Sequence, residues 1–126
     1  MAKQIISSDQ APSAIGTYSQ AVKVDSTVYI SGQIPLNPNT MEMVTDSFEA
    51  QAIQVFENLS AVAKAAGGSL NDFVKITVLL SDMKYFPQVN EVMAKYVNEP
   101  YPARAAFAVK ALPKDADIEI DAVMVV

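Results

Sequence analysis

Apolar and polar residues along this 126-residue chain recur with two different periods, and the switches between them mark the elements. Thr17–Val24 and Thr27–Gln33 are runs rich in Val, Tyr and Ile, parted by Asp25-Ser26, and they predict a β-hairpin. Lys3–Ser7 offers one more short strand. Two prolines and two asparagines within Ile34–Thr40 break both periods and predict a loop. Phe48, Ala52, Val55, Phe56, Leu59, Val62, Ala63 and Ala66 then recur at helical spacing until Gly67-Gly68, with Asp46 and Glu49 placed as a capping box. Phe73–Leu80 is dense in β-branched residues and predicts a strand with Val74, Ile76, Val78 and Leu80 on one face. A second helix follows from about Tyr85 to Val97, with Pro87 in its first turn and Phe86, Val89, Met93, Tyr96 and Val97 as its apolar stripe.

Pro100-Tyr101-Pro102 ends that helix, and Ala103–Val109 and Ile118–Val126 predict two last strands joined through Leu112-Pro113-Lys114-Asp115. The order ββαβαββ implies a single α+β domain over residues 1–126, a mixed sheet with two helices packed on one face. The last strand carries Ile118, Ile120, Ala122 and Met124 on one side and Val123 and Val125 on the other. No helix is left for the second face, so a neighbouring copy of the chain is the expected cover. A hydrophobic content of 51%, rich for so small a domain, points the same way.

The net charge of −5 opposes nucleic-acid binding, which relies on clustered cations; lysines 3, 23, 64, 75, 84, 95, 110 and 114 are scattered. No apolar run reaches membrane-spanning length, and Met1–Ile6 leads into Ser7-Ser8-Asp9 without the apolar stretch of a signal peptide, so a cytoplasmic protein is expected. The chain has no histidine and no cysteine. Zinc and triad chemistry lose their customary groups, and any reaction must run on arginine, carboxylate, hydroxyl and backbone groups without a metal.

Among those groups Arg104 is the single arginine. A planar guanidinium is hard to replace where a carboxylate is gripped by two parallel hydrogen bonds, and Arg104 opens a strand behind two prolines, a stiff mounting; a fixed ion pair with one of the 14 acidic residues satisfies the pattern equally well. Asp115, Asp117, Glu119 and Asp121 alternate with apolar residues, which suggests one polar sheet face; Ile120 stands where a calcium loop needs glycine. Glu119 and Asp121 lie deeper in the strand, so at least one is expected to be partly buried with a shifted pKa. Ser31-Gly32-Gln33 ends a strand where glycine permits a ligand or another backbone to approach closely, a plain turn glycine being the commoner explanation. Tyr18, Ser19 and Gln20 in the partner strand, and Asn90 in the second helix, read as ordinary hydrogen-bonding residues.

Several ordered segments also match a known family. Ala14-Ile15-Gly16-Thr17-Tyr18-Ser19-Gln20-Ala21, Tyr29-Ile30-Ser31-Gly32-Gln33-Ile34, Pro102-Ala103-Arg104, Leu112-Pro113 and Ile118-Glu119-Ile120 resemble the RidA (YjgF-like) reactive-intermediate deaminases, from about Ile5 to the C-terminus. The resemblance implies a chorismate-mutase-like fold and a homotrimer whose sheets form a central barrel, with clefts between subunits. It also implies hydrolysis of 2-imino acids, such as 2-iminobutanoate and 2-iminopropanoate, to 2-oxo acids and ammonia with no cofactor. The residue matching the substrate-carboxylate holder is Arg104, and Glu119 matches the one that positions water. Tyr18, Ser31, Gly32 and Asn90 match cleft-lining positions, partly supplied by the adjacent subunit. The chain departs from the family pattern at Thr17, usually proline; Met41, usually glycine; Ala106, cysteine in some members; and Asp121, commonly glutamate. Met41 implies that the turn after Asn39 changes type or accepts strain. Two other readings use the same residues: a non-catalytic small-metabolite binder with regulatory function, and a ribonuclease or translation inhibitor, which the charge and the missing histidine disfavour.

Overall fold

The computed structural model describes residues 2–126 and shows an α+β fold with one six-stranded mixed sheet. The strands are β1 (Gln4–Ile6), β2 (Ala21–Val24), β3 (Thr27–Gln33), β4 (Phe73–Leu80), β5 (Ala103–Ala108) and β6 (Ile118–Val125), arranged β1-β2-β3-β6-β4-β5. All neighbours are antiparallel except β4 and β5, which run parallel because helix α2 (Phe86–Tyr96) carries the chain back between them. Helix α1 (Phe48–Ala65) bridges β3 and β4 and packs on β3, β6 and α2. Both helices contribute to the core on one face of the sheet, with Val55, Phe56 and Leu59 of α1 and Val89 and Val92 of α2 buried against Ile76, Val78, Ile118 and Ile120. Each fully buried Leu or Phe side chain there contributes about 1.5–3 kcal/mol of transfer free energy.

The long helix begins and ends by separate devices. Its N-cap is Ser47, whose side chain accepts the Ala50 N–H at 3.0 Å; the expected Asp46–Glu49 box does not form, because Ser47 already occupies the capping position. At the other end Gly67 takes φ 91°, Gly68 N donates to Ala63 O and Gly67 N to Lys64 O, each at 3.0 Å, which closes the last turn.

Three further expectations are corrected. Thr17–Gln20 lies outside the hairpin, which begins at Ala21. Gln20 explains why: it is buried, its side-chain amide donates to the carbonyls of Ser8, Ala11 and Pro12, and its Oε1 accepts the Ser8 N–H, so it is spent on fixing the preceding loop. Val74 is 47% exposed, whereas Phe73 is buried with Ile76, Val78 and Leu80. A register shift against β6 between Phe73 and Lys75 inserts the extra residue that turns Val74 outward. Asp115 and Asp117 precede β6; the Asp117 carboxylate accepts from Ser81 Oγ at 2.7 Å and from Gln51 Nε2 at 3.2 Å, tying α1 to the ends of β4 and β6.

Among the described residues no helix covers the other face of the sheet. Tyr29, Val74, Phe107 and Val125 are each roughly half exposed there, while alternate residues of β6 are fully buried. No helix among the described residues is long and apolar enough to cross a membrane.

Candidate active site

The fold divides the expected site residues into two groups. Arg104 lies on the edge strand β5 opposite Ile76, a residue buried beneath the helices, so its side chain rises on the helical face. There Nη1 donates to Asn90 Oδ1 at 2.7 Å and to Met93 Sδ at 3.5 Å, and the guanidinium carbon stands 5.1 Å from the centre of the Phe86 ring. These residues come from successive turns of α2, at the i, i+4 and i+7 spacing that shares one helix face. Among the described residues Arg104 forms no salt bridge, and the one ion pair joins Lys95 to Glu49. Arg104, Asn90, Met93, Ala94, Tyr101 and Pro102 line an open cavity of about 480 Å³. The expected alternative of an internal ion pair is therefore not what holds this arginine.

Glu119 lies two strands away on β6, opposite Leu79, and alternates with the buried Ile118 and Ile120. It therefore occupies the face that carries no helix. Next to it, β3 is bulged: Ile30 pairs with Ala122 and Gln33 with Ile120, leaving Ser31 and Gly32 opposite the single residue Asp121. The bulge brings the Gly32 backbone against the Glu119 side chain so closely that a Cβ at position 32 would overlap the carboxylate, with its Cδ at 2.9 Å. The close approach at this glycine is made by the side chain of an internal carboxylate, not by a ligand or another backbone as the sequence suggests. Burial, and secondarily the Asp121 carboxylate on the same strand face, raise the pKa of Glu119 above the usual carboxylate range.

Glu119, Tyr18, Gly32, Gln33, Ile15 and Lys114 line a second cavity of about 290 Å³. Tyr18 is half exposed at its mouth, where its hydroxyl accepts the Ile15 N–H at 3.4 Å. Ser31 points its hydroxyl away from ligand duty, donating to Ser19 O at 2.6 Å, and so fixes the loop segment that carries Tyr18 and Gln20. The structure thus groups Tyr18 and Gly32 with Glu119, and Asn90 with Arg104. Within one chain it does not bring Arg104 and Glu119 together.

Sequence reasoning missed Phe86 and Met93 as neighbours of Arg104, having assigned both to the core stripe. It also passed over Lys114, which lines the Glu119 cavity with φ 55° beside Asp115 at the same φ. Two successive non-glycine residues in the left-handed region store backbone strain of order 1–2 kcal/mol each. No group of three or more metal-ligating side chains is clustered among the described residues.

A family model described as endoribonuclease L-PSP matches residues 8–126. The chain belongs to this RidA/YjgF/L-PSP family. It is 55% identical to RidA from the Antarctic bacterium Psychrobacter sp. PAMC 21119, over 98% of this chain and 99% of that one, with a TM-score of 0.94. It is 47% identical to the 2-iminobutanoate/2-iminopropanoate deaminase of Mus musculus, over 98% of this chain and 91% of that protein. Similarity also extends to E. coli TdcF, whose crystal structure holds bound serine: 40% identity, 98% of each chain and a TM-score of 0.92. This RidA-family chain therefore shares its fold with a protein named RidA and nearly its full length with one named 2-iminobutanoate/2-iminopropanoate deaminase.

Proposed function

We propose that this protein hydrolyses 2-imino acids to 2-oxo acids and ammonia, in a site assembled from two copies of the chain. The observation that carries the proposal is the pairing of a guanidinium held without a countercharge and a carboxyl shifted toward its protonated form, each at an open cavity, in a chain with close relatives named for that reaction. Their separation on opposite faces supports a second copy as the means of joining them. The half-exposed Tyr29, Val74 and Phe107 offer the apolar surface for that contact. A trimer is the closed ring that the family resemblance favours.

The chemistry follows from the groups. A 2-imino acid carries a carboxylate, which Arg104 binds, and an electrophilic C=N carbon beside it. Water adds to that carbon while Glu119 as carboxylate accepts a water proton. With the imine nitrogen protonated the addition gives a carbinolamine; Glu119 returns the proton to its nitrogen, and as the C–N bond breaks the hydroxyl proton passes back to the Glu119 carboxylate, so that ammonia leaves behind the 2-oxo acid and then takes up that proton. One carboxyl whose pKa sits above the ordinary range suits both proton steps better than a fully ionised surface glutamate. Tyr18 and the Gly32 backbone are the groups that border the water site, and neither step calls for a metal or an organic cofactor.

The test is a competition. A dehydratase generates 2-iminobutanoate from threonine in the presence of semicarbazide, and the partition between imine-derived semicarbazone and free 2-oxobutanoate is followed. Wild-type protein is expected to divert flux to 2-oxobutanoate, and Arg104→Ala to lower that diversion roughly 30-fold or more, since it removes a charge-assisted contact. Unchanged partition with wild-type protein retires the deaminase reading. Binding of 2-oxobutanoate without any diversion supports a regulatory binder instead, and RNA cleavage that disappears in Glu119→Gln supports the nuclease implied by the family description.

A further inference from the structure

The donor inventory of Arg104 fixes which of its edges is available. A guanidinium has five N–H groups: one on Nε and two on each terminal nitrogen. Nη1 faces two acceptors, Asn90 Oδ1 at 2.7 Å and Met93 Sδ at 3.5 Å, so both of its hydrogens have partners inside the chain. The Phe86 ring covers one face of the plane at 5.1 Å and blocks rotation of the fork toward α2. Met93 is buried, so its sulfur cannot move aside without opening the core. What remains is the edge formed by Nε–H and one Nη2–H, two parallel donors at the spacing of carboxylate oxygens.

We infer that Phe86 and Met93 are positioning residues that hold the Arg104 guanidinium so that its Nε/Nη2 edge, not its terminal fork, receives the carboxylate of the ligand. This deepens the proposed function and rests on the reading that Arg104 binds a carboxylate. It separates three roles on one helix. Asn90 and Met93 saturate Nη1, Phe86 supplies a flat support, and none of the three needs to touch the reacting carbon.

The chain has a single arginine, so its Nε–Hε group gives one resolvable side-chain arginine resonance. In ¹⁵N-labelled protein at pH 6, this proton is expected upfield of its free position because of the Phe86 ring current, and Phe86→Leu is expected to remove that displacement. Titration with 2-oxobutanoate should carry the resonance downfield to saturation in wild type. An Hε signal that stays in place while other resonances report saturation overturns the inference. The second measurement is affinity: Phe86→Leu should weaken 2-oxobutanoate binding about two- to five-fold, the range of an exposed cation–π contact, and Phe86→Tyr should restore it. Binding of the uncharged 2-oxobutanamide should be the same in all three proteins, which a general loss of packing would not give. If Phe86→Leu fails to fold, Met93→Leu, close in volume but without the acceptor, decides through the same titration; wild-type affinity there sinks the role of the sulfur. Wild-type protein that binds 2-oxobutanoate through Hε but leaves imine partition unchanged retires the deaminase reading alone and leaves this inference standing. No binding of the carboxylate at all removes both.

Discussion

In the proposed reaction Glu119 meets two demands that conflict. Burial beside Gly32 and the charge of Asp121 both favour the protonated acid, whereas activation of water needs the carboxylate. Its folded pKa is raised, so its favourable contribution to stability is complete at low pH and is lost as pH rises through that value, when the fold must hold a poorly solvated charge. Glu119→Gln removes the charge and keeps the shape. Thermal melts from pH 4 to pH 8 should therefore show the variant gaining on wild type as pH rises, with the gap closing near pH 4, where an ordinary glutamate of pKa about 4.3 is itself half protonated. A gap that is constant with pH would show that Glu119 does not titrate in this range. In the imine assay the acid limb of kcat/KM should lie above the usual carboxylate range, and Glu119→Gln should abolish the activity. Arg104 stands out in the sequence as the single arginine of the chain; for Glu119 the alternating strand foretells partial burial and a shifted pKa and reads as structural, and its role beside water comes from the family resemblance alone. Lys114 gives no such signal, because no glycine or asparagine marks its left-handed backbone, and Phe86 and Met93 give none, because an apolar residue that supports a guanidinium has the same spacing as one that fills a core.

The elements follow from periodicity wherever the backbone keeps regular pairing, and fail to where it does not. Phe73–Leu80 was predicted to the residue, yet the side of Val74 was misassigned, because the register shift next to it leaves no trace in an apolar run. Thr17–Gln20 has the composition of a strand but is diverted by the four hydrogen bonds of Gln20, a long-range pattern that no local propensity contains. The connection between β3 and α1 shows the opposite case, an irregularity anticipated from one residue. Met41 adopts φ 58°, its N–H donates to Asn37 O at 2.7 Å and Asn37 N donates to Glu42 O at 2.9 Å, so the turn keeps the form that suits glycine and the methionine accepts the strain. A left-handed conformation costs a side-chain-bearing residue about 1–2 kcal/mol, partly offset in a glycine variant by the greater freedom of its unfolded chain. Met41→Gly should thus stabilise the fold by up to about 1 kcal/mol, read as a higher urea midpoint with unchanged slope. A lower midpoint would mean that the partly buried Met41 side chain contributes more by packing than its backbone loses.

At the scale of the whole molecule, one chain presents the two groups of the proposed site facing opposite ways: Arg104 over the helices on the edge strand, Glu119 on the open face of a central strand. If an assembly joins the Arg104 half of one copy to the Glu119 half of the next, two inactive variants should complement each other. Arg104→Ala retains a working Glu119, and Glu119→Gln retains a working Arg104. In a ring of randomly mixed copies, a site is intact when the first contributor is the Glu119→Gln chain and the second the Arg104→Ala chain, which happens at about one site in four. Unfolding the two variants together at equal concentration and refolding them should therefore recover roughly a quarter of wild-type activity in the imine assay, while the variants refolded separately and then mixed without exchange should stay inactive. The double variant supplies the control, since mixing it with wild type at equal concentration leaves an intact pair in only about one site in four and should lower activity to about a quarter of that of wild type alone. No recovery from the mixture, with wild type refolding normally under the same protocol, would mean that both groups serve a site from the same chain. Phe107→Asp gives the matching structural test. A charge on the half-exposed edge strand should lower the sedimentation coefficient to that of a single chain and remove activity together with assembly, because a lone copy keeps Arg104 and Glu119 apart.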